Sequence, residues 1–230
     1  MKRYITTFQT NAEYSAATLD TPNVSLVEED MSVHYSPYVP TPPSFDGKFK
    51  LTYSDESVYS AACDSTSAIT KSDVYAGSSS YEDIKEVIIG DCVTSIGDEA
   101  FEECYKITAV TIPNSVTSIG DATFSKCSAL SSITIPSGVT LIDNYAFENC
   151  PRLTSVTIPN TVTSIGYSVF EGCEGLESVT IEATTPPTLG NNAFNYTNDC
   201  PIYVPSASVN AYKAASGWST YASRIQAINE

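Results

Sequence analysis

Between residues 87 and 176 the apolar positions recur with one fixed step. Phe101, Phe124, Phe147 and Phe170 lie 23 residues apart, as do Cys104, Cys127, Cys150 and Cys173. Ile96, Ile119, Ile142 and Ile165 keep the same step, and so do Ile107, Leu130, Leu153 and Leu176. One unit, "VTIPNSVTSIGDATFSKCSAL" (110–130), shows the local logic. Val110 and Ile112 alternate with Thr111, which predicts a short strand with its apolar groups on one face and threonine on the other. Pro113 lacks an N–H and ends the pairing, and Asn114-Ser115 suits a turn. The stretch Val116–Ile119 brings the chain back with two more inward apolar groups. Gly120 permits a tight bend, and Asp121 is placed to cap a short helical turn over "ATFSKC". Phe124 then fills the middle of the coil, Cys127 packs beneath it and Leu130 leads into the next strand.

A period in this range with these apolar positions is the signature of a leucine-rich-repeat solenoid. A fifth, worn copy begins at Val179 and reaches Phe194 one residue late, after "ATTPPTLG". One coil alone cannot bury both its faces, so the array folds only by stacking. Its two ends then need covering, because they expose apolar faces and open strand edges. The expected fold is mainly β with short helical turns: a leucine-rich-repeat solenoid over residues 86–200, with a β-rich N-terminal cap over 46–85. Residues 201–230 read as a strand-plus-helix C-terminal cap. There "IYV" is the strand, and Val209, Tyr212, Trp218, Tyr221 and Ile225 form the apolar side of an amphipathic helix. Residues 36–45, "SPYVPTPPSF", form a Pro-rich linker. Residues 1–35 are too few for a stable core of their own. They are expected to act as an attachment segment, ordered against a second copy or a larger assembly, or else as a loose tail.

Composition narrows the function classes. With 11 Lys+Arg against 27 Asp+Glu, the formal net charge is −16 and the pI is near 4.2. Nucleic-acid binding requires a basic footprint, so no nucleic-acid partner is expected. The same excess disfavours an anionic membrane surface, and no stretch approaches the ~18 apolar residues of a span. The start, "MKRYITTFQTNAEY", has two basic residues without an apolar run behind them, so it does not read as a secretory signal.

Candidate chemistry is sparse. Seven cysteines cannot all pair within one chain, and none forms a C-x-x-C pair. The four repeated ones lie one per coil, in a row, whereas zinc ligands must converge on a point. They read as a ladder of buried thiols. His34 is the only histidine and the only candidate base for a nucleophile. Asp98, Glu99, Glu102 and Glu103 cluster at turn positions, where solvated charge is the ordinary reading, although paired carboxylates also serve glycosidases. Asp98, Asp121 and Asp143 recur about one coil apart, with too few oxygens for calcium. No catalytic, cofactor-binding or metal-binding residue is assigned. What remains is surface. Thr111, Thr134, Thr157 and Thr180 predict one outward ladder, and Thr94, Thr117, Thr140 and Thr163 a second. Such rows suit contact with a protein or with sugar hydroxyls, and threonine is also simply a good β-former at a wetted position.

The repeat "VTIPxxVTSIGxxAFxxCxxL", over residues 87–195, resembles the BspA-like branch of leucine-rich repeats. The ending "CPIYVPSASVNAYKAASGWSTYASRIQAI" is similar to the cap on such arrays in gut Bacteroidetes proteins. The opening "TLDTPNVSLVEEDMSVHY" is similar to a segment found ahead of these arrays and in structural proteins of bacteriophages and mobile elements. The resemblance implies a non-enzymatic adhesion or binding module that recognises a protein or glycan on a cell or mucosal surface. Its implied setting is extracellular, on a cell surface or on a virion, where a decoration or fibre subunit is the alternative role. A glycan-acting enzyme is the third reading.

Overall fold

A computed structural model describes residues 45–76 and 81–228, all within one compact unit. The attachment segment 1–35, His34 and all but the last residue of the linker lie outside the described residues. The chain opens with β1 (Phe49–Tyr53), β2 (Val58–Ala61), β3 (Ala68–Ile69), α1 (Lys71–Ala76) and β4 (Ile84–Ile89). It continues through β5 (Ser95–Ile96), β6 (Ala109–Thr111), β7 (Ser118–Ile119), β8 (Ser132–Thr134) and β9 (Leu141–Ile142). Then come β10 (Ser155–Ile158), β11 (Ser164–Ile165), β12 (Ser178–Ile181) and β13 (Thr188–Leu189). It closes with β14 (Ile202–Val204), α2 (Val209–Ala214) and β15 (Ile225–Ala227).

Each coil contributes one strand to each of two parallel stacks. Along the first side, β8, β10, β12, β14 and β15 pair in parallel, and β4 pairs with β6 in the same sense. The ladder is interrupted between β6 and β8. Along the second side β3, β5, β7, β9, β11 and β13 form one parallel sheet of short strands. Its first member shows that the array begins earlier than the strict period indicates. Ile69 pairs with Ile96 at a separation of 27 residues instead of 23, and that insertion hides the coil from a fixed-step reading.

The third side departs from expectation. Residues 121–126 form turns with no helix, and Asp121 does not cap them. The backbone alternates between two kinds of bond instead. Ala122, Phe124 and Lys126 donate N–H groups forward to the carbonyls of Asn144, Ala146 and Glu148 in the next coil, while Ser125 and Cys127 bond back within their own turn. This needs left-handed residues at two positions per coil: Glu99, Ala122, Tyr145, Ser168 and Asn192, and Glu103, Lys126, Asn149, Gly172 and Tyr196. A non-glycine residue there costs of order 1 kcal/mol, which the inter-coil hydrogen bonds offset. Asp98 and Asp121 join this stacking. Asp98 accepts the Asp121 N–H at 2.9 Å, and Asp121 accepts from the Asn144 side-chain amide at 3.3 Å. Gly120 also serves stacking rather than a bend, because an added Cβ would lie 2.8 Å from the Asp98 backbone nitrogen in the preceding coil.

The core is a single column. Phe101, Phe124, Phe147, Phe170 and Phe194 stack face to face with ring centroids 5.3–5.6 Å apart. Cys104, Cys127, Cys150 and Cys173 are fully buried beside them. Trp218 and Tyr221 close the column against Phe194, Trp218 tilted and Tyr221 edge-on. The C-terminal cap is thus one more coil, with Trp218 in the phenylalanine position and Ile225 pairing with Ile202. Its helix is shorter than the apolar pattern suggests. It ends at Ala214, Gly217 takes a positive φ of 79°, and Ile225 lies in a strand. The polar tips of the large side chains reach backbone acceptors: Tyr212 donates to the Ala183 carbonyl and Trp218 Nε1 to Pro187, both at 2.7 Å.

At the other end β1 lies between β2 and β4, antiparallel to both. A disulfide joins Cys63 to Cys92 and pins the loop after β2 onto the first coils. The same loop covers Lys48, which is 1% exposed and pairs with Asp64 at 3.0 Å and Asp73 at 3.2 Å.

Candidate binding surface

Strand alternation decides what β8, β10 and β12 present. Val156 and Ile158 point into the core, so Ser155 and Thr157 point out. The pairing register aligns them with Ser132 and Thr134 on one side and with Ser178 and Thr180 on the other. Six hydroxyls therefore form two columns, about 7 Å apart along the strands and repeating every ~4.8 Å across them. Thr180 is in register with Tyr203, and Tyr203 with Gln226, so the threonine column runs on into the C-terminal cap. These two residues escape a reading confined to the "VTIP" motif, yet both keep the 23-residue step from Thr180. That step is the signal that could have found them.

The two threonine ladders differ in what their hydroxyls do. On the second sheet Thr117 donates to the Thr94 carbonyl at 3.0 Å, Thr140 to Thr117 at 3.2 Å and Thr163 to Thr140 at 3.3 Å. Thr94 donates to the Ser67 hydroxyl at 2.7 Å. Their donor protons are spent within the solenoid. On the first sheet, the hydroxyls of Ser132, Thr134, Ser155, Thr157, Ser178 and Thr180 make no hydrogen bond among the described residues. Thr111 lies on the far side of the ladder break, where its strand pairs with β4.

A cleft of about 1270 Å³ overlies the β6, β8 and β10 part of this side. Thr111, Thr134 and Thr157 line it together with Ser132, Ser155 and the prolines that end each strand. Asp91 and Glu182 also line it, whereas no residue of the two hydroxyl columns is charged. Ser115, in the same lining, has a hydroxyl oxygen that is shielded from solvent and unpartnered.

Other candidates resolve into structure. Lys71 pairs with Glu99 at 2.7 Å and Glu102 at 3.3 Å; Lys126 pairs with Glu103 at 2.6 Å and Glu102 at 3.5 Å. The acidic cluster is therefore an ion-pair network bridging coils. Hydrogen bonding to Lys126 holds the Glu103 carboxyl below its usual range, the opposite of what a general acid needs. Burial pushes the Cys104 thiol up to about 12 and that of Cys127 well above its ordinary value, so neither supplies a thiolate nucleophile. Among the described residues no group of three or more His, Cys, Asp or Glu side chains is placed to hold a metal ion. No helix among them is long and apolar enough to cross a membrane.

Residues 72–200 match the profile of the BspA type leucine rich repeat region, in 6 copies. A leucine rich cell surface protein from Faecalibacterium prausnitzii is 34% identical over 42% of this chain and 26% of its own, with a TM-score of 0.41. A leucine-rich repeat protein from Bacteroides ovatus is 27% identical over 68% of this chain and 50% of its own, with a TM-score of 0.40. The pneumococcal vaccine antigen PcpA shares the fold at 19% identity, covering 72% of this chain and 38% of its own, with a TM-score of 0.53. The chain spans half or less of the length of each. No curated protein matches it.

Proposed function

Because the chain belongs to the BspA-type leucine-rich-repeat family, we propose that it is a non-enzymatic binding module that holds an extracellular partner on the outward face of β8, β10 and β12. One observation carries the reading: the hydroxyls of this face are unpartnered, whereas those of the other threonine ladder are consumed by the coil behind. Fixed strands present the columns, so a partner meets donors and acceptors that lose little freedom on binding. An extracellular setting agrees with the cysteine chemistry. The bonded pair includes the exposed Cys63, all five free cysteines are buried, and structural disulfides persist in oxidising compartments.

The test is binding of the full chain to immobilised mucin and to cultured epithelial cells. Thr157→Lys, which puts a long cation into the column, is expected to weaken binding by at least about tenfold, while Thr140→Lys on the other sheet leaves it unchanged. Absence of binding to both surfaces, or equal losses in the two variants, would overturn the proposal. A mass measurement in solution, on the full chain and on residues 46–230, tests the attachment role of residues 1–45. An oligomer that becomes a monomer on truncation supports it, and two monomers refute self-assembly.

A further inference from the structure

Resting on that reading, we propose that the partner is a neutral glycan chain laid across the strands, with Tyr203 as the aromatic stop at one end of its track. Three observations converge on this. First, the two hydroxyl columns carry no charge, and the charged residues lining the cleft beside them, Asp91 and Glu182, are both acidic. The six hydroxyls offer both donors and acceptors, which suits sugar hydroxyls, while the flanking carboxylates repel a sulfated or carboxylated polymer. Second, the exposed dimensions are small. From β8 to β15 the track runs about 19 Å and is about 7 Å wide. A stable protein partner covers ~800 Å² on each side and anchors on several aromatic or arginine side chains, whereas this track has one aromatic. The repeat along it is close to the advance of one hexose in an extended chain, so one sugar can face one coil.

Third, Tyr203 follows Thr180 in register and has no hydrogen-bond partner among the described residues. It is half-buried and rooted between Ile202 and Val204, both fully buried. An aromatic ring held this way offers apolar area at low entropic cost, and a pyranose ring presents a C–H face to match. Gln226, exposed on the adjoining strand, adds an amide donor and acceptor beyond the ring.

The experiment uses the full chain and three forms of the same mucin: untreated, sialidase-treated, and oxidised with mild periodate to cleave sugar vicinal diols. Sialidase is expected to leave binding unchanged or to strengthen it, since it removes negative charge facing an acidic protein. Periodate is expected to weaken binding at least tenfold. Tyr203→Ala is expected to weaken it about tenfold at an unchanged melting temperature, and Tyr203→Phe to retain it. Loss on sialidase treatment would assign an anionic ligand and overturn the neutral one. If periodate has no effect while Thr157→Lys still abolishes binding, the partner is a protein; the glycan assignment falls and the binding module stands. Full binding by Tyr203→Ala would remove that residue from the site.

Discussion

A buried thiol costs little when its proton has somewhere to go. Cys127 donates to the Phe101 carbonyl at 3.3 Å, Cys150 to Phe124 at 3.2 Å and Cys173 to Phe147 at 3.1 Å. The cysteine column is therefore a weak hydrogen-bond ladder as well as apolar filling, each thiol tied to the coil before it. From the sequence, Cys127→Ser should bury a poorly paired hydroxyl and cost about 1–3 kcal/mol. The structure supplies an acceptor, so the expected loss sits at the lower end, about 1 kcal/mol, read from urea unfolding. A loss above about 3 kcal/mol would mean that the serine hydroxyl does not reach Phe101. Reactivity follows the same geometry. Burial with a raised thiol pKa should keep Cys104 and Cys127 unmodified by iodoacetamide in the native protein and expose them to it in denaturant. Native labelling of either within minutes would contradict the packing.

Among the elements, the N-terminal cap carries the most unusual electrostatics. Hydrogen bonds from Thr66 and Lys48 hold the Asp64 carboxyl at about 2. Burial alone would lower the Lys48 pKa, but Asp64 and Asp73 outweigh it and raise it. Signs follow from linkage. Asp64 is depressed in the folded state, so its contribution is complete above its unfolded value near 3.8 and is lost as pH falls toward 2. Lys48 is raised, so its contribution is complete below 10.5 and is lost at higher pH. Urea midpoints should therefore be level between these limits and drop on the acid side, with a shallower drop in Asp64→Asn. An identical acid limb in that variant would place the titrating group elsewhere. The disulfide acts on the same loop. It spans 29 residues, so reduction should cost about 3–4 kcal/mol on chain-entropy grounds. The check is a chemical-denaturation series with and without reductant, and a shift below about 1 kcal/mol would show that the loop is held by its ion pairs alone.

At the scale of the whole array, stability accrues coil by coil along one axis. Every coil from residue 87 to 176 has the same length and the same three sides, so removing residues 133–155 should join Ser132 to Val156 in correct register. The shortened chain is expected to fold cooperatively with lower stability and an unchanged circular-dichroism signature. Removing 12 residues, about half a coil, should abolish folding, because the phenylalanine column and both ladders lose register together. A folded half-coil deletion would mean that the coils are not the units of stacking. The same deletion of 133–155 takes out Thr134 and Ser155, one coil of the hydroxyl track, and should weaken mucin binding without ending it.

The sequence by itself determined the period, the inward residues of the four coils that keep the strict 23-residue step and the need for capped ends. All three follow from side chains repeating in register, and a fixed step of Phe, Cys and Ile has one economical solution. It also placed the threonines on wetted positions, since alternation along a strand is a local property. Tertiary structure decided the rest. Whether a threonine proton is free or spent depends on a carbonyl 23 residues away, and the two ladders look alike until the coils are stacked. Asp121 reads as a helix cap in isolation, but the forward hydrogen bonds of the next coil compete with the helix and win. Lys48, Asp64 and Asp73 are ordinary charged residues in the chain, and Lys48 becomes buried and ion-paired to the other two only when the disulfide loop closes over it. Tyr203 joins the hydroxyl column because the C-terminal cap continues the parallel pairing, and strand pairing between distant segments is a contact that no single stretch of sequence specifies.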